Sequence, residues 1–165
     1  MNSIKLTPLT EENFRRYGTF VDLTDDAALA ARSVFPAGFF ADVVPLTFGG
    51  ELPPTVSVNS LRRTDNPVIR FIESHHHTCE GILPLDCDVV LFVGLPDMGK
   101  LSTKYLQAFV IPKNTFVRLD PLIIHGSLFC LQETGHSLCL LSGRTFANDF
   151  EAKLLGDEAV AIELD

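Results

Sequence analysis

Short segments with the pattern of β-strands follow one another along most of this chain and restrict the folds that it can adopt. Val56 and Val58 alternate with polar residues, which predicts a strand with one buried face. The stretch from Asp88 to Gly94 is mostly apolar, as in a strand buried on both faces. Pro112-Lys113-Asn114 separates two further apolar segments and predicts a hairpin. Many short strands with turns about every ten residues predict a mainly β fold, an antiparallel barrel or sandwich.

Two short helices are predicted before these strands. Thr10 suits the cap of a helix with an acidic first turn, in which Phe14 and Tyr17 share one face. The alanine-rich stretch 25–33 predicts a second helix of one or two turns. Since no linker-like segment divides the sequence, we expect a single domain over residues 1–165.

The formal net charge of −8 limits the partners that the chain is expected to bind. A surface this acidic repels phosphate groups, so we expect neither nucleic acid nor an anionic membrane as a partner. No stretch approaches the roughly 20 apolar residues of a transmembrane helix, and residues 1–5 lack the apolar core of a signal peptide. These features predict a cytoplasmic protein. Its 4 cysteines are then expected to stay reduced, and their spacing matches no zinc motif.

The segment from His75 to Glu80, with the sequence HHHTCE, is the strongest candidate for a functional site. In a strand, residues two apart point to the same face, so His75 and His77 would point inward together and His76 outward. A bulge would bring Glu80 to the same centre, and His125, which follows an apolar run, is the natural fourth ligand. Imidazoles with a carboxylate suit a divalent transition metal, and we expect nickel, zinc or manganese.

Two other interpretations of the histidine run stay open. The side chains could line a pocket as polar groups without a metal, or they could form a solvated segment at the surface. Measurement of bound metal would separate the metal hypothesis from both.

The two histidine-bearing segments resemble the two motifs of the cupin superfamily, although Gly81 is the one glycine that remains of those usual around the first motif. Over residues 4–145 the chain is also similar to the ureidoglycolate lyase family. The similarity rests on short segments: Leu6–Phe14, Tyr17-Gly18, Glu73-Ser74-His75, Val89–Val93, Leu106–Val110, Ile124-His125 and Leu128-Phe129. Glu73, His75 and His125 match the family in residue type, whereas Glu80 stands where the family tends to have glutamine.

This resemblance implies a cupin-type antiparallel β-barrel, that is, a double-stranded β-helix or jelly roll, which usually forms a homodimer. It also implies a lyase of allantoin and purine degradation that splits (S)-ureidoglycolate, a small carboxylate, into glyoxylate and urea. Three positions depart from the family pattern. Asn59 lies near a usual arginine, Asp120 lies near a usual histidine, and Ile124 replaces an aromatic residue.

For this activity the sequence suggests a role for each candidate residue. The metal would be held by His75, His77, Glu80 and His125 and would bind the carboxylate and hydroxyl group of the substrate. Glu73 or His76 would carry the proton. Arg62, Arg63 and Arg70 are candidates for pairing with the substrate carboxylate, because a guanidinium group matches it bidentately.

Two alternative functions stay open as well. The same ligands suit another metal-dependent cupin enzyme, such as a sugar isomerase or a dioxygenase. A cupin without catalytic activity would instead bind a small acid or sugar.

An aromatic cluster of Phe35, Phe39 and Phe40 lies close to the N-terminal helix in the sequence. It belongs either to the core or to an interface between subunits. The second case agrees with the homodimer that the resemblance implies.

Overall fold

Strands make up most of the fold in the computed structural model, which describes residues 2–35 and 37–164. They are β1 (Asn2–Lys5), β2 (Gly18–Asp22), β3 (Pro54–Arg62), β4 (Val68–Ile69), β5 (Phe71–Ser74), β6 (Glu80–Pro84), β7 (Val89–Val93), β8 (Gln107–Ile111), β9 (Thr115–Leu119), β10 (Phe129–Cys130), β11 (Thr134–Ser142), β12 (Glu151–Leu154) and β13 (Val160–Glu163). The helices are α1 (Glu11–Phe14), α2 (Asp26–Arg32) and α3 (Thr145–Asn148), with a 3-10 turn at Gly156–Glu158. The mainly β class predicted from the sequence is confirmed.

Both predicted N-terminal helices are present, and the first begins at its predicted cap, Thr10, but ends at Phe14, before Tyr17. The Thr10 side chain accepts a hydrogen bond from the Asn13 backbone N–H, and the Asp25 carboxylate accepts two, from the N–H groups of Ala27 and Ala28. These bonds satisfy N–H groups that have no partner inside a helix. None of the described helices is long and apolar enough to span a membrane.

Two antiparallel sheets enclose the main core. One sheet has the order β2-β9-β6-β11-β3, and the other has the order β10-β7-β8. Their inner faces meet in one buried cluster, to which Phe14 and Tyr17 also contribute. From the sheets, this cluster contains Ile82, Val117 and Leu119 on one side and Val89, Leu91, Val93, Phe109 and Ile111 on the other. Facing antiparallel sheets around a shared core agree with the expected jelly roll.

A third layer covers the outer face of the smaller sheet. In it β1 and β13 pair in parallel, and β13 also pairs with β4. The buried residues beneath this layer include Val90, Phe92 and Ala108, which point away from the main core. The apolar run around β7 is therefore buried on both faces, as its sequence predicts.

Two local predictions differ from the structure. The segments on either side of Pro112-Lys113-Asn114 do not form a hairpin, because β8 pairs with β7 while β9 pairs with β2 and β6. The chain instead crosses from one sheet to the other at this turn. Val56 and Val58 lie in a strand, but they are 63% and 60% exposed. Strand β3 is at the edge of its sheet, where its outward side chains face solvent.

Candidate metal centre and active site

Three potential metal ligands meet inside the protein from separate parts of the chain. His75 directly follows β5, Glu80 is the first residue of β6, and His125 lies between β9 and β10. Two backbone hydrogen bonds of 2.9 Å between Glu73 and His125 hold these residues side by side. A further bond from the Leu122 N–H to the His75 carbonyl extends this antiparallel contact. The fold thus brings together two histidines that are 50 positions apart.

The ligand atoms of this cluster are close together and shielded from solvent. Glu80 Oε2 lies 2.7 Å from His125 Nε2 and 3.3 Å from His75 Nε2. One ligand atom from each residue lies within 4.8 Å of the others, a spacing that suits a single ion. His75 and His125 are only 2% and 3% exposed. This group of three is called the His75–Glu80–His125 cluster below.

The hydrogen bonds of both imidazoles direct their Nε2 atoms into the cluster. The Nδ1 atom of His75 lies 2.8 Å from the carbonyl oxygen of Asp149, and that of His125 lies 2.8 Å from the carbonyl oxygen of Ile123. A carbonyl oxygen only accepts, so each Nδ1 carries a proton and donates it. Both buried Nε2 atoms lack an aligned hydrogen-bond partner among the described residues. This is the arrangement of metal-binding histidines, whose second nitrogen is fixed by an outer contact.

The charges of Glu80 and His125 stabilise each other in the metal-free cluster. Burial opposes the charged form of both groups, but their close contact outweighs it. The pKa of Glu80 is therefore lowered, and the pKa of His125 is raised to about 9. At neutral pH the metal-free site thus holds a buried ion pair, with a proton on the nitrogen that would bind a metal.

Two further groups border the cluster. Glu73 Oε1 lies 4.0 Å from His125 Nε2, and its pKa is raised, chiefly by burial. The Cys139 thiol on β11 donates a hydrogen bond of 3.1 Å to Glu80 Oε1. Burial next to Glu80 raises the pKa of this thiol. One carboxylate oxygen of Glu80 therefore contacts the histidines, and the other accepts a hydrogen bond from Cys139.

A cavity of about 220 Å³ opens beside the cluster and is the candidate active site. It is lined by Ser57, Asn59, Glu73, Glu80, Gly126, Ser127, Leu128, Cys139 and Phe146. No lysine or arginine is among these described lining residues. A larger groove of about 460 Å³ lies between α1 and β2, but its lining contains none of the cluster residues. The smaller cavity is the candidate active site because the ionisable groups of the cluster converge there.

The structure does not bring His77 into the cluster, although the sequence analysis placed it there with His75. Residues 75–79 form a loop instead of a strand, so residues two apart do not share a face. The His77 side chain is 78% exposed, and its Nδ1 lies 3.2 Å from Asp149 Oδ1. His76 is also exposed, with its Nε2 2.9 Å from Glu151 Oε2, and it does not line the cavity.

The three arginines considered for substrate binding lie away from the cavity lining. Arg62 and Arg63 are exposed at the end of β3, where Arg63 pairs with Asp65 at 2.6 Å. Arg70 is exposed between β4 and β5. None of the three is among the residues that line the cavity.

Several site residues were not singled out from the sequence as functional. Cys139 was expected only to be a reduced thiol, Ser57 was part of a strand pattern, and Asn59 was named only as a departure from the family pattern. Their alternation along β3, opposite Cys139 and Ser137 on β11, places them toward the cavity. The sequence alternation along β3 identifies these cavity residues only when the pairing of β3 with β11 is known.

Of the comparisons with known proteins, the match to a family model agrees with the resemblance seen in the sequence. A search of curated proteins found no match. Among solved structures the chain is similar to RmlC from Streptococcus suis in complex with dTDP-D-xylose, with 13% identity and a TM-score of 0.38. That similarity covers 54% of this chain and 43% of the other, so the chain spans less than half of that protein. The family model described as Ureidoglycolate lyase matches residues 1–163, and the chain therefore belongs to the ureidoglycolate lyase family.

Proposed function

We propose that this protein is a metal-dependent lyase that cleaves ureidoglycolate to glyoxylate and urea, with His75, Glu80 and His125 as metal ligands. The observation that carries the proposal is the buried His75–Glu80–His125 cluster beside a cavity, in a chain of this family. Two imidazoles and one carboxylate leave open coordination positions, as catalytic sites require. This ligand set suits nickel, zinc and manganese alike, so all three stay candidates.

The proposed reaction transfers one proton within the substrate. The carbon that carries the carboxylate also carries the hydroxyl group and the ureido nitrogen. When the O–H proton leaves, the C–O bond becomes a carbonyl, the C–N bond breaks, and the nitrogen accepts a proton to give urea. No water, oxidant or reductant is consumed. A divalent metal would supply a Lewis acid that holds the carboxylate and hydroxyl oxygens and stabilises negative charge on them.

Glu73 is the better placed of the two candidate proton carriers. Its carboxyl group lines the cavity next to His125, whereas His76 is exposed and bound to Glu151. The hydroxyl oxygen and the leaving nitrogen are attached to the same carbon, so one carboxylate can serve both. Glu73 would accept the hydroxyl proton and then donate it to the departing nitrogen.

The composition of the cavity supports binding of the substrate carboxylate at the metal. None of the described lining residues is cationic, so a buried carboxylate would find no side-chain counter-charge there. The hydroxyl groups of Ser57 and Ser127 and the amide of Asn59 are neutral and suit the ureido group. We therefore assign no substrate contact to Arg62, Arg63 or Arg70.

The test begins with protein stripped by a chelator and reloaded separately with nickel, zinc or manganese. Glyoxylate release from ureidoglycolate is then followed with a coupled enzyme. At least one metal should raise the rate well above spontaneous breakdown of the substrate. Failure of all three metals would overturn the lyase assignment, and stoichiometric metal without turnover would favour another cupin activity.

Two variants separate the candidate proton carriers. Glu73→Gln should retain metal but lose about 100- to 10,000-fold in kcat, the usual contribution of general acid–base catalysis. His76→Gln is the matched control and should keep near wild-type kcat. The reverse outcome would assign the proton transfer to His76.

A further inference from the structure

The carboxylate of Asp149 binds three consecutive backbone N–H groups of the loop that follows His75. Its Oδ1 accepts from the His76 N–H at 2.8 Å. Its Oδ2 accepts from the N–H groups of His77 at 2.8 Å and Thr78 at 3.1 Å. One side chain thus satisfies three main-chain donors, and hydrogen bonds to an ionised acceptor are stronger than neutral ones.

The main chain of the same residue holds the imidazole of His75. The Asp149 carbonyl oxygen accepts the proton of His75 Nδ1 at 2.8 Å, which leaves Nε2 facing the cluster. Asp149 therefore acts on this ligand in two ways. Its side chain determines the path of the loop, and its carbonyl determines which His75 nitrogen carries the proton.

The surrounding fold holds Asp149 in place from the other side. Its N–H donates to the Thr145 carbonyl at 2.8 Å, at the end of α3. Two residues later, β12 begins to pair with β5, with Glu151 opposite Ser74. Asp149 thus connects the segment around α3 to the loop 75–78, across 71 to 74 positions of sequence.

We infer that Asp149 is the positioning residue of the metal centre, because it holds the loop 76–78 and fixes the tautomer and direction of His75. It does not touch the metal or the substrate in this role. The inference rests on the proposed metal site, and it explains the histidine run differently from the sequence analysis. In this arrangement His76 and His77 supply backbone N–H groups, and only His75 supplies a ligand.

The test compares full-length Asp149→Asn and Asp149→Ala with the wild-type protein. Asp86→Asn is the matched control, because the Asp86 carboxylate also binds a histidine through its backbone N–H and Nδ1, at His136 outside the cluster. Zinc affinity is measured by competition with a chelator, and the visible spectrum of bound cobalt(II) reports the ligand geometry. The unfolding temperature of the metal-free proteins shows whether each variant is folded.

Both variants keep the main-chain carbonyl that accepts from His75, so they act on this ligand through the loop that the carboxylate holds. Disturbing the outer support of a metal-binding histidine typically costs about 10- to 100-fold in metal affinity. We expect a loss in this range and an altered cobalt spectrum for Asp149→Ala. Asp149→Asn should lose less, since its amide keeps one oxygen that accepts from the loop. Asp86→Asn should bind zinc like the wild type. Zinc affinity within about threefold of wild type in both Asp149 variants, or an equal loss in Asp86→Asn, would overturn the inference.

A measurement on metal-free protein keeps this inference separate from the proposed function. Nitrogen-15 NMR of the imidazole should show His75 as the Nδ1–H tautomer in the wild type. In Asp149→Ala it should show a mixture, because the loop released from the carboxylate lets the imidazole move away from the carbonyl that the variant keeps. Exchange of the amide protons of residues 76–78 should be faster in the variant. If wild-type protein binds no metal, the proposed function fails while this result still decides the role of Asp149. An unchanged tautomer and unchanged exchange would refute that role, and Asp149→Asn decides it if the alanine variant does not fold.

Discussion

Replacing Glu80 with glutamine in the metal-free protein should lower the free energy of unfolding by about 3 kcal/mol at pH 6. The magnitude follows from the ion pair between Glu80 and His125. Burial lowers the pKa of His125, but the Glu80 carboxylate, with smaller contributions from Glu73 and the Ile123 carbonyl, raises it from 6.5 to about 9. Each pKa unit corresponds to about 1.4 kcal/mol. The lowered pKa of Glu80 reflects the same contact, so the pair is counted once.

The pH dependence of this cost has a definite sign. A raised histidine pKa stabilises the fold fully below the unfolded value of 6.5, and this contribution disappears as the pH rises through about 9. The lowered pKa of Glu80 stabilises the fold above its unfolded value, and this contribution is lost in acid. The difference in unfolding free energy between wild type and variant should therefore be largest near pH 6 and should nearly disappear above about pH 9.

Urea denaturation in the presence of a chelator measures this difference at pH 6 and at pH 9.5. A loss of about 3 kcal/mol at pH 6 also corresponds to roughly 10 °C in unfolding temperature for a chain of this size. Glu73→Gln is the control, because its carboxylate lies 4.0 Å from His125 Nε2 instead of 2.7 Å and should cost much less. A loss that is equal at both pH values would refute the ion pair as its cause.

Three further predictions test the site, the core and the assembly. Zinc affinity should fall about tenfold for each pH unit below about 9, since the metal must displace a proton from His125. Zinc titrations between pH 6 and pH 9 check this, and an affinity that does not change with pH would contradict it. Gly135→Ala should lower the free energy of unfolding by about 1–3 kcal/mol, because the new Cβ would overlap with the Cys87 Sγ. An unchanged midpoint of urea denaturation would contradict the close packing of Gly135 against Cys87. The expected homodimer should appear in light scattering as twice the chain mass of 18.2 kDa, with the exposed, adjacent rings of Phe35 and Phe39 as the predicted interface. A monomer mass would exclude the dimer.

The parts of the fold that depend on local chemistry could be predicted from the sequence. The cap Thr10, the helix in the alanine-rich stretch and the apolar run around β7 all appear where the pattern places them. The partners of the strands could not be read in this way. The turn at 112–114 looks like a hairpin, yet its two strands belong to different sheets, because pairing is decided by distant segments. For the same reason the edge position of β3, and the exposure of Val56, follow from the sheet order and not from alternation.

The candidate site shows the same division. Residue type and spacing predict His75 and Glu80 as ligands, the apolar run before it predicts His125, and the structure brings the three together. The selection of His77 assumed a strand through the histidine run. The carboxylate of Asp149 accepts hydrogen bonds from the backbone N–H groups of residues 76–78, and this segment forms a loop. A contact across more than 70 residues leaves no periodic signal in the sequence.

The different surroundings of the Glu73 and Glu80 carboxylates indicate that the two groups have different roles. Both oxygens of Glu80 are engaged, one with the imidazoles and the other with the Cys139 thiol, and its pKa is lowered. A carboxylate in this state is a good ligand and a poor proton carrier. Glu73 lies at the cavity, and burial raises its pKa, which favours the protonated form relative to an ordinary glutamate. Environments that push two neighbouring carboxyl groups apart in pKa commonly mark their separate roles. For this site they support the proposed roles, with Glu80 as metal ligand and Glu73 as proton carrier. The variants Glu80→Gln and Glu73→Gln should therefore fail differently, the first in metal retention and the second in turnover.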